Sequence, residues 1–280
     1  MKIYARILAA VLVAGFASSA GFAEDSDPVE MTVGSPPMVS DDTGTPGPKN
    51  WEINAIFDAA LSKDSKSYEI PMMDINYGIG EKAQLTYAVP YVFTKDTGVD
   101  DAGDEEVLRA RGLANSEFGV KYRFYDNEKD GLSLAVNPKI EFRTPGSKLA
   151  GSAEEGGDGG VAEKGTTYAL PFLLTKEFGK FSVTANVAGE KSSEDTRIET
   201  SASLGAGTRL TNKLAILLEI AGSDLNTAEE KRVLMNLGLK FKLSDKHAVV
   251  FAAGRDINSP SDTQKYSYLT LAYQRFIEFK

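Results

Sequence analysis

Cysteine is missing from all 280 residues, and histidine and tryptophan occur once each. Without thiols there can be neither a disulfide framework nor a thiolate metal site. A single histidine, His247, rules out HExxH-type zinc chemistry. It leaves only a hydrolytic reading with the neighbouring Ser244 and Asp245, which read more simply as turn residues. Basic residues are outnumbered, with a formal charge of −9 and no basic stripe, so nucleic acid is excluded as a partner. After residue 23 no apolar run approaches the ~20 residues that a membrane helix needs. The glycine-rich run GSAEEGGDGG (151–160) lacks the Gly-Lys-Ser/Thr ending of a phosphate loop and reads as a mobile external loop. The acidic run DTGVDDAGDEE (96–106) could offer Asp100, Asp101 and Asp104 to Ca²⁺, but its spacing is not that of an EF-hand, and a solvated loop is the favoured reading. No cofactor and no resident metal are implied.

The beginning of the chain sets a compartment. Lys2 and Arg6 form a basic n-region, Ile7 to Ala17 an apolar core, and Gly21-Phe22-Ala23 a small-x-small cleavage site. Residues 1–23 therefore read as a secretory signal, whose loss leaves a more acidic chain. Residues 24–49 are rich in Pro, Asp, Gly and Ser and have no sustained period. They read as a flexible periplasmic arm, with a plug folded into a lumen as the alternative.

From residue 50 to 280 the pattern changes. Segments of about ten residues alternate apolar and polar. Trp51, Ile53, Ala55 and Phe57 oppose Glu52, Asn54 and Asp58; Phe118, Val120, Tyr122 and Phe124 oppose Glu117, Lys121 and Arg123. Val233, Met235, Leu237, Leu239 and Phe241 oppose Arg232, Asn236 and Lys240. Period two is the mark of a sheet with one apolar and one wet face. About twelve such segments can be counted; the eleventh, near 248–254, is apolar on both faces. The links are brief after segments two, four, six, eight and ten, and long after three, five, nine and eleven, including Thr94–Leu113 and Thr144–Gly165. Tight turns on one side and loops on the other are the signature of an antiparallel transmembrane β-barrel with both termini periplasmic. The chain is thus expected to be all-β, with one barrel domain over 50–280.

A soluble sandwich or lipocalin-like barrel has the same period but buries its apolar face inward. Aromatic residues near the segment ends and the closing register Tyr273, Ile277, Phe279 favour the membrane form. Twelve strands ~4.8 Å apart and tilted ~40° give a backbone radius of roughly 12 Å, room for a small-solute path or a closed interior.

The stretch TGTPGPKNWEINAIF, the block Pro71-Met72-Met73-Asp74-Ile75-Asn76-Tyr77-Gly78 and Gln84-Leu85-Thr86-Tyr87-Ala88-Val89-Pro90-Tyr91 resemble the outer-membrane barrel family labelled "MetA-pathway of phenol degradation". The motif-like part covers residues 43–93. The resemblance implies a Gram-negative outer-membrane protein, in some cases associated with uptake of aromatic compounds; fold analogy does not fix a substrate.

If the polar parity points inward, the lumen receives Glu52, Asp58, Asp74, Glu117, Glu141, Glu199 and Glu219 together with Lys121, Arg123, Lys139, Arg143, Arg197, Arg209, Arg232 and Lys240. Mixed signs at this density make either a salt-bridge lattice or a charge filter. Basic residues cluster on segments four, five, eight and ten, which favours anionic solutes, and Tyr266 and Tyr268 could stack on a ring. The expected function is passive or facilitated passage of small solutes, aromatic or anionic. The alternative is a closed structural or adhesive barrel acting through its external loops. Expected partners are outer-membrane lipid, the barrel-assembly machinery and an unidentified solute.

Overall fold

The computed structural model describes residues 38–99, 105–152, 158–227, 231–260 and 264–279. The signal region, most of the arm and Asp100, Asp101 and Asp104 fall outside these residues. The described chain forms a closed antiparallel barrel of twelve strands, and no helix occurs among the described residues.

The strands are β1 Trp51–Leu61, β2 Ser65–Ile79 and β3 Ala83–Val99. Strand β4 comprises Glu105–Leu113 and Asn115–Asn127, and β5 comprises Leu132–Val136 and Lys139–Arg143. There follow β6 Thr166–Phe178, β7 Phe181–Ser192, β8 Glu199–Thr211 and β9 Leu214–Ser223. The last are β10 Arg232–Ser244, β11 His247–Asn258 and β12 Ser267–Ile277. Each pairs with its chain neighbours, and β1 pairs with β12 from Trp51↔Ile277 to Leu61↔Ser267, which closes the wall. Strand β5 is interrupted at Asn137-Pro138 because proline has no N–H for the ladder. The Pro138 carbonyl still accepts from Val120 N–H at 3.0 Å, so the wall stays continuous.

The even-numbered strands end in tight turns, and Gly80 (φ 72°) and Gly179 (φ 63°) supply the left-handed backbone that two of them require. This is the turn end of the barrel; the other is the loop end. One expected loop is not a loop. Within Thr94–Leu113 the ladder continues from Tyr91↔Leu113 out to Val99↔Glu105, a β3–β4 hairpin projecting beyond the wall. Water on both faces leaves such a hairpin no apolar side, so its period was hidden. The glycine-rich run behaves similarly in its described part: Gly159 exchanges backbone hydrogen bonds with Arg109 and Arg111, and Asp158 pairs with Arg111 at 2.8 Å.

The parity settles which way the barrel faces. Tyr87, Phe118, Leu170, Phe172, Leu218, Leu237, Phe251 and Leu271 are all exposed on the outside. Asn54, Asp74, Gln84, Lys121, Thr184, Glu219, Lys240 and Gln274 are buried inside. A water-soluble barrel would show the reverse, because apolar area left in water costs ~25 cal/mol per Å². An apolar outer band is what a bilayer solvates. Phe124, Phe181 and Tyr273 stand on it near the turn end, and Phe93 and Tyr168 near the loop end. The chain is a transmembrane β-barrel.

Candidate functional site: a strapped lumen

The interior is occupied by the chain's own N-terminal segment. Over its described part the 24–49 segment follows the alternative to a flexible arm: it is folded into the lumen, as a strap seated in the bore. Gly47 sits at the turn end, where Lys49 N–H donates to the Gly78 carbonyl at 2.9 Å and Gly78 N–H to Asn50 at 3.0 Å. A side chain at Gly78 would fall on the Gly47 carbonyl, so this close approach needs glycine. Gly78→Val is expected to unseat the strap, read as new protease cleavage before Trp51 in an otherwise folded barrel.

From there the strap crosses the lumen. Thr43 N–H donates to Thr175 Oγ1 at 3.1 Å, and its hydroxyl meets Ser133 at 2.5 Å. Asp41 exchanges hydrogen bonds with Asn186: its N–H reaches Oδ1 at 2.7 Å and its carbonyl accepts from Nδ2 at 2.8 Å. Glu219, 1% exposed, accepts from Val39 N–H at 3.1 Å, Ser40 N–H at 2.5 Å and Asn236 Nδ2 at 2.9 Å. The N–H groups of Val39, Ser40, Asp41 and Thr43 thus each find an acceptor on the barrel wall. Lys121 is the charge partner. Its Nζ lies 2.8 Å from Asp41 Oδ1 and 2.9 Å from the Asp42 carbonyl, with Asp42 Oδ1 at 4.0 Å. Met38 ends the described strap in an apolar patch of Ile56, Ala215, Leu217, Val250, Ala252 and Ala272. This explains why β11 is apolar on both faces: Ala248, Val250 and Ala252 point inward, and the last two help hold Met38.

Two cavities flank the strap. The first, about 490 Å³, is lined from Gly47 and Phe276 near the turn end to Glu69, Asn115 and Glu141 near the loop end. Asp41, Asp42, Glu52, Glu69, Asp74, Glu117 and Glu141 line it against Lys121, Lys139 and Lys240. Among the described residues, seven carboxylates face three lysines. The second cavity, about 340 Å³, lies between β5 and β10, with Leu173, Asn186, Ser203 and Ala221 in its wall and Val39 and Asp41 at its border with the strap.

The expected lumen residues divide accordingly. Glu52, Asp74, Lys121 and Lys240 line the first cavity, Arg232 the second, and Lys139 both. Glu52 and Asp74 each accept from Asn54 Nδ2 at 2.8 Å, and Lys139 pairs with Glu117 at 2.9 Å. Glu219 is buried under the strap. Arg123 belongs to the turn end, bonded to the Glu81 carbonyl at 2.9 Å and Asp126 at 3.0 Å. Arg143 is exposed at the last position of β5. Arg197 lies in the β7–β8 loop, outside any strand, paired with Asp195 at 3.1 Å. The Arg197 backbone N–H and guanidinium hold that carboxyl below its usual range. Tyr266 and Tyr268 are at the loop end: Asp256 accepts from Tyr268 Oη at 3.0 Å and from Tyr266 N–H at 2.9 Å, and also binds Arg232. Neither ring lines either cavity, and among the described residues Phe276 is the one aromatic that does. Arginines therefore decorate the ends, while carboxylates dominate the bore. Sequence reading missed Asp41, Asp42, Met38 and Glu69.

His247 Nδ1 meets the Tyr273 hydroxyl at 2.5 Å, whereas the Ser244 hydroxyl accepts from Lys246 N–H at 3.3 Å within the turn. The Ser–His geometry of a hydrolase is not assembled there.

No protein-family model matches the chain, and no curated protein matches it in sequence. The phenol-degradation resemblance therefore rests on residues 43–93 alone. Solved structures do match. An outer-membrane channel from Pseudomonas putida F1 superposes with a TM-score of 0.64 at 12% identity, over 84% of this chain and 98% of that one. KdgM porin superposes with 0.52 at 9% identity, over 81% and 99%. The same porin in complex with disordered oligogalacturonate gives 0.53 at 10%, over 82% and 99%. At such identities the likeness is one of fold, and the fold is that of outer-membrane channel barrels.

Proposed function

We propose that the chain is an outer-membrane channel for small solutes, reached by export after signal cleavage, with the turn end toward the periplasm and cations favoured over anions. The observation that carries this reading is the first cavity, whose lining runs along the bore from Gly47 and Phe276 to Glu69 and Glu141 and, among the described residues, holds seven carboxylates against three lysines. Fixed charge on a narrow water-filled path concentrates counter-ions and sets the sign of what passes. The anionic preference expected from the basic residues loses support because Arg123, Arg143 and Arg197 stand outside both cavities. Outer-membrane channels among the fold neighbours support the class but not a particular solute.

The test is single-channel recording of the refolded chain in a planar bilayer under a KCl gradient. Discrete steps with a reversal potential of cationic sign are expected. An anionic sign, or silence from the folded barrel both with and without residues 24–46, would sink the reading. Glu52→Gln, which removes one carboxylate from the cavity wall, is expected to shift the reversal potential toward zero, while Arg143→Ala leaves it in place. The adhesive alternative predicts silence, together with loss of surface binding when Thr144–Gly165 is trimmed.

A further inference from the structure

We infer that the strap Met38–Gly47 is a fixed part of the channel lining, which narrows one side of the bore and sets the size and charge of the path on the other. The inference rests on the channel reading. Three observations lead to it. First, the path does not wait for the strap to move. With the strap in place, the first cavity is already lined from Gly47 and Phe276 to Glu69 and Glu141.

Second, the strap stands between the two cavities, which share Glu117, Lys139 and Glu141 toward the loop end. Val39 and Asp41 border that cavity, and Asp41 is held on both its backbone and its carboxylate by Asn186, Asn137 and Lys121. The turn-end part of the same side is filled by Thr43 on Thr175 and Ser133.

Third, the strap supplies part of the path's charge. Asp41 and Asp42 are two of the seven carboxylates on the first cavity, and they bring the counter-charge for Lys121. Leaving would require the strap to give up the Lys121 pair, both Glu219 bonds and the burial of Met38 together. A lid that opens in each transport cycle is drawn from weakly held segments, and this one is not weakly held.

The cysteine-free chain permits a direct test. The Ser40 and Ser203 hydroxyl oxygens are 3.0 Å apart, so Ser40→Cys with Ser203→Cys places two thiols within bonding reach. An added thiol oxidant takes two electrons and two protons from them and ties the strap to the wall. The same variant, recorded before and after oxidation, is expected to show the same conductance. A chain lacking residues 24–46 is expected to conduct about twofold more, as the side of the bore that the strap fills is opened, with a weaker cation preference. Should that deletion fail to fold, full-length Asp41→Asn with Asp42→Asn carries the test, because it leaves Lys121 uncompensated and moves the reversal potential toward anions.

Silencing by oxidation would overturn the inference, since the strap would then have to move. So would a folded deletion, or the double asparagine variant, with unchanged selectivity. A silent parent chain that begins to conduct on deletion would also overturn it, making the strap a plug while keeping the channel. Silence in both folded parent and folded deletion would instead remove the channel reading itself, and this inference with it.

Discussion

Replacing Lys121 with methionine is expected to cost the folded barrel about 3 kcal/mol, measured by urea unfolding in lipid vesicles. The side chain is 5% exposed and is the ammonium that faces Asp41 and Asp42 in the bore. Removing one member of a buried pair leaves the other charge uncompensated, which costs ~3–5 kcal/mol where the pair is shielded from water. The lower end applies here because the Asp41 side chain keeps 29% of its surface open. The loss also has a ceiling. If the strap leaves the lumen, the carboxylates regain water, so the cost cannot exceed the free energy that seats the strap. Adding Asp41→Asn and Asp42→Asn to Lys121→Met should restore most of the stability, and the cycle reports the pairing energy. A Lys121→Met barrel within about 1 kcal/mol of the parent would place the pair among weak surface contacts and refute its role in holding the strap.

The second large effect concerns the outer wall. Leu237 lies in the middle of β10, and half of its side chain is open on the barrel's outside. In water, an exposed leucine replaced by arginine changes stability by no more than ~0.5 kcal/mol. In the hydrocarbon core the same change costs ~2–4 kcal/mol, because the guanidinium loses its hydration. Leu237→Arg is therefore expected to weaken or block insertion into vesicles. Insertion with parental stability would mean that this face does not meet lipid.

The wall was legible from the sequence because a membrane barrel imposes a rule on every residue. Lipid solvates one parity and the lumen the other, so Val120, Tyr122 and Phe124 against Lys121 and Arg123 announce a strand without help from distant residues. The strap was legible only as an alternative to a flexible arm, for the opposite reason. Its partners Lys121, Thr175, Asn186, Ser203 and Glu219 come from β4, β6, β7, β8 and β9, and nothing local in 38–47 encodes them. One trace was visible. An inward face carrying Val250 and Ala252 is out of place on a wet lumen, and it signals that something apolar, here Met38, lies against it. The arginines misled because parity assigns a face but not a height. Arg143 and Arg123 have the right parity, yet they sit where the bore meets water.

The pairing of β1 with β12 has a consequence for the order of assembly. Trp51 finds Ile277, and Leu61 finds Ser267, only after the last strand of the chain exists. The strap immediately precedes β1 in the chain, and its wall partners extend to Ala272 of β12. Its complete berth is therefore absent from every nascent intermediate that lacks the final strand. Contacts this remote in sequence form late, since loop closure must be met before they give anything back. Closure of the seam and completion of the strap's berth both wait for β12, so the barrel completes its wall and its interior around the residues at which its own sheet began.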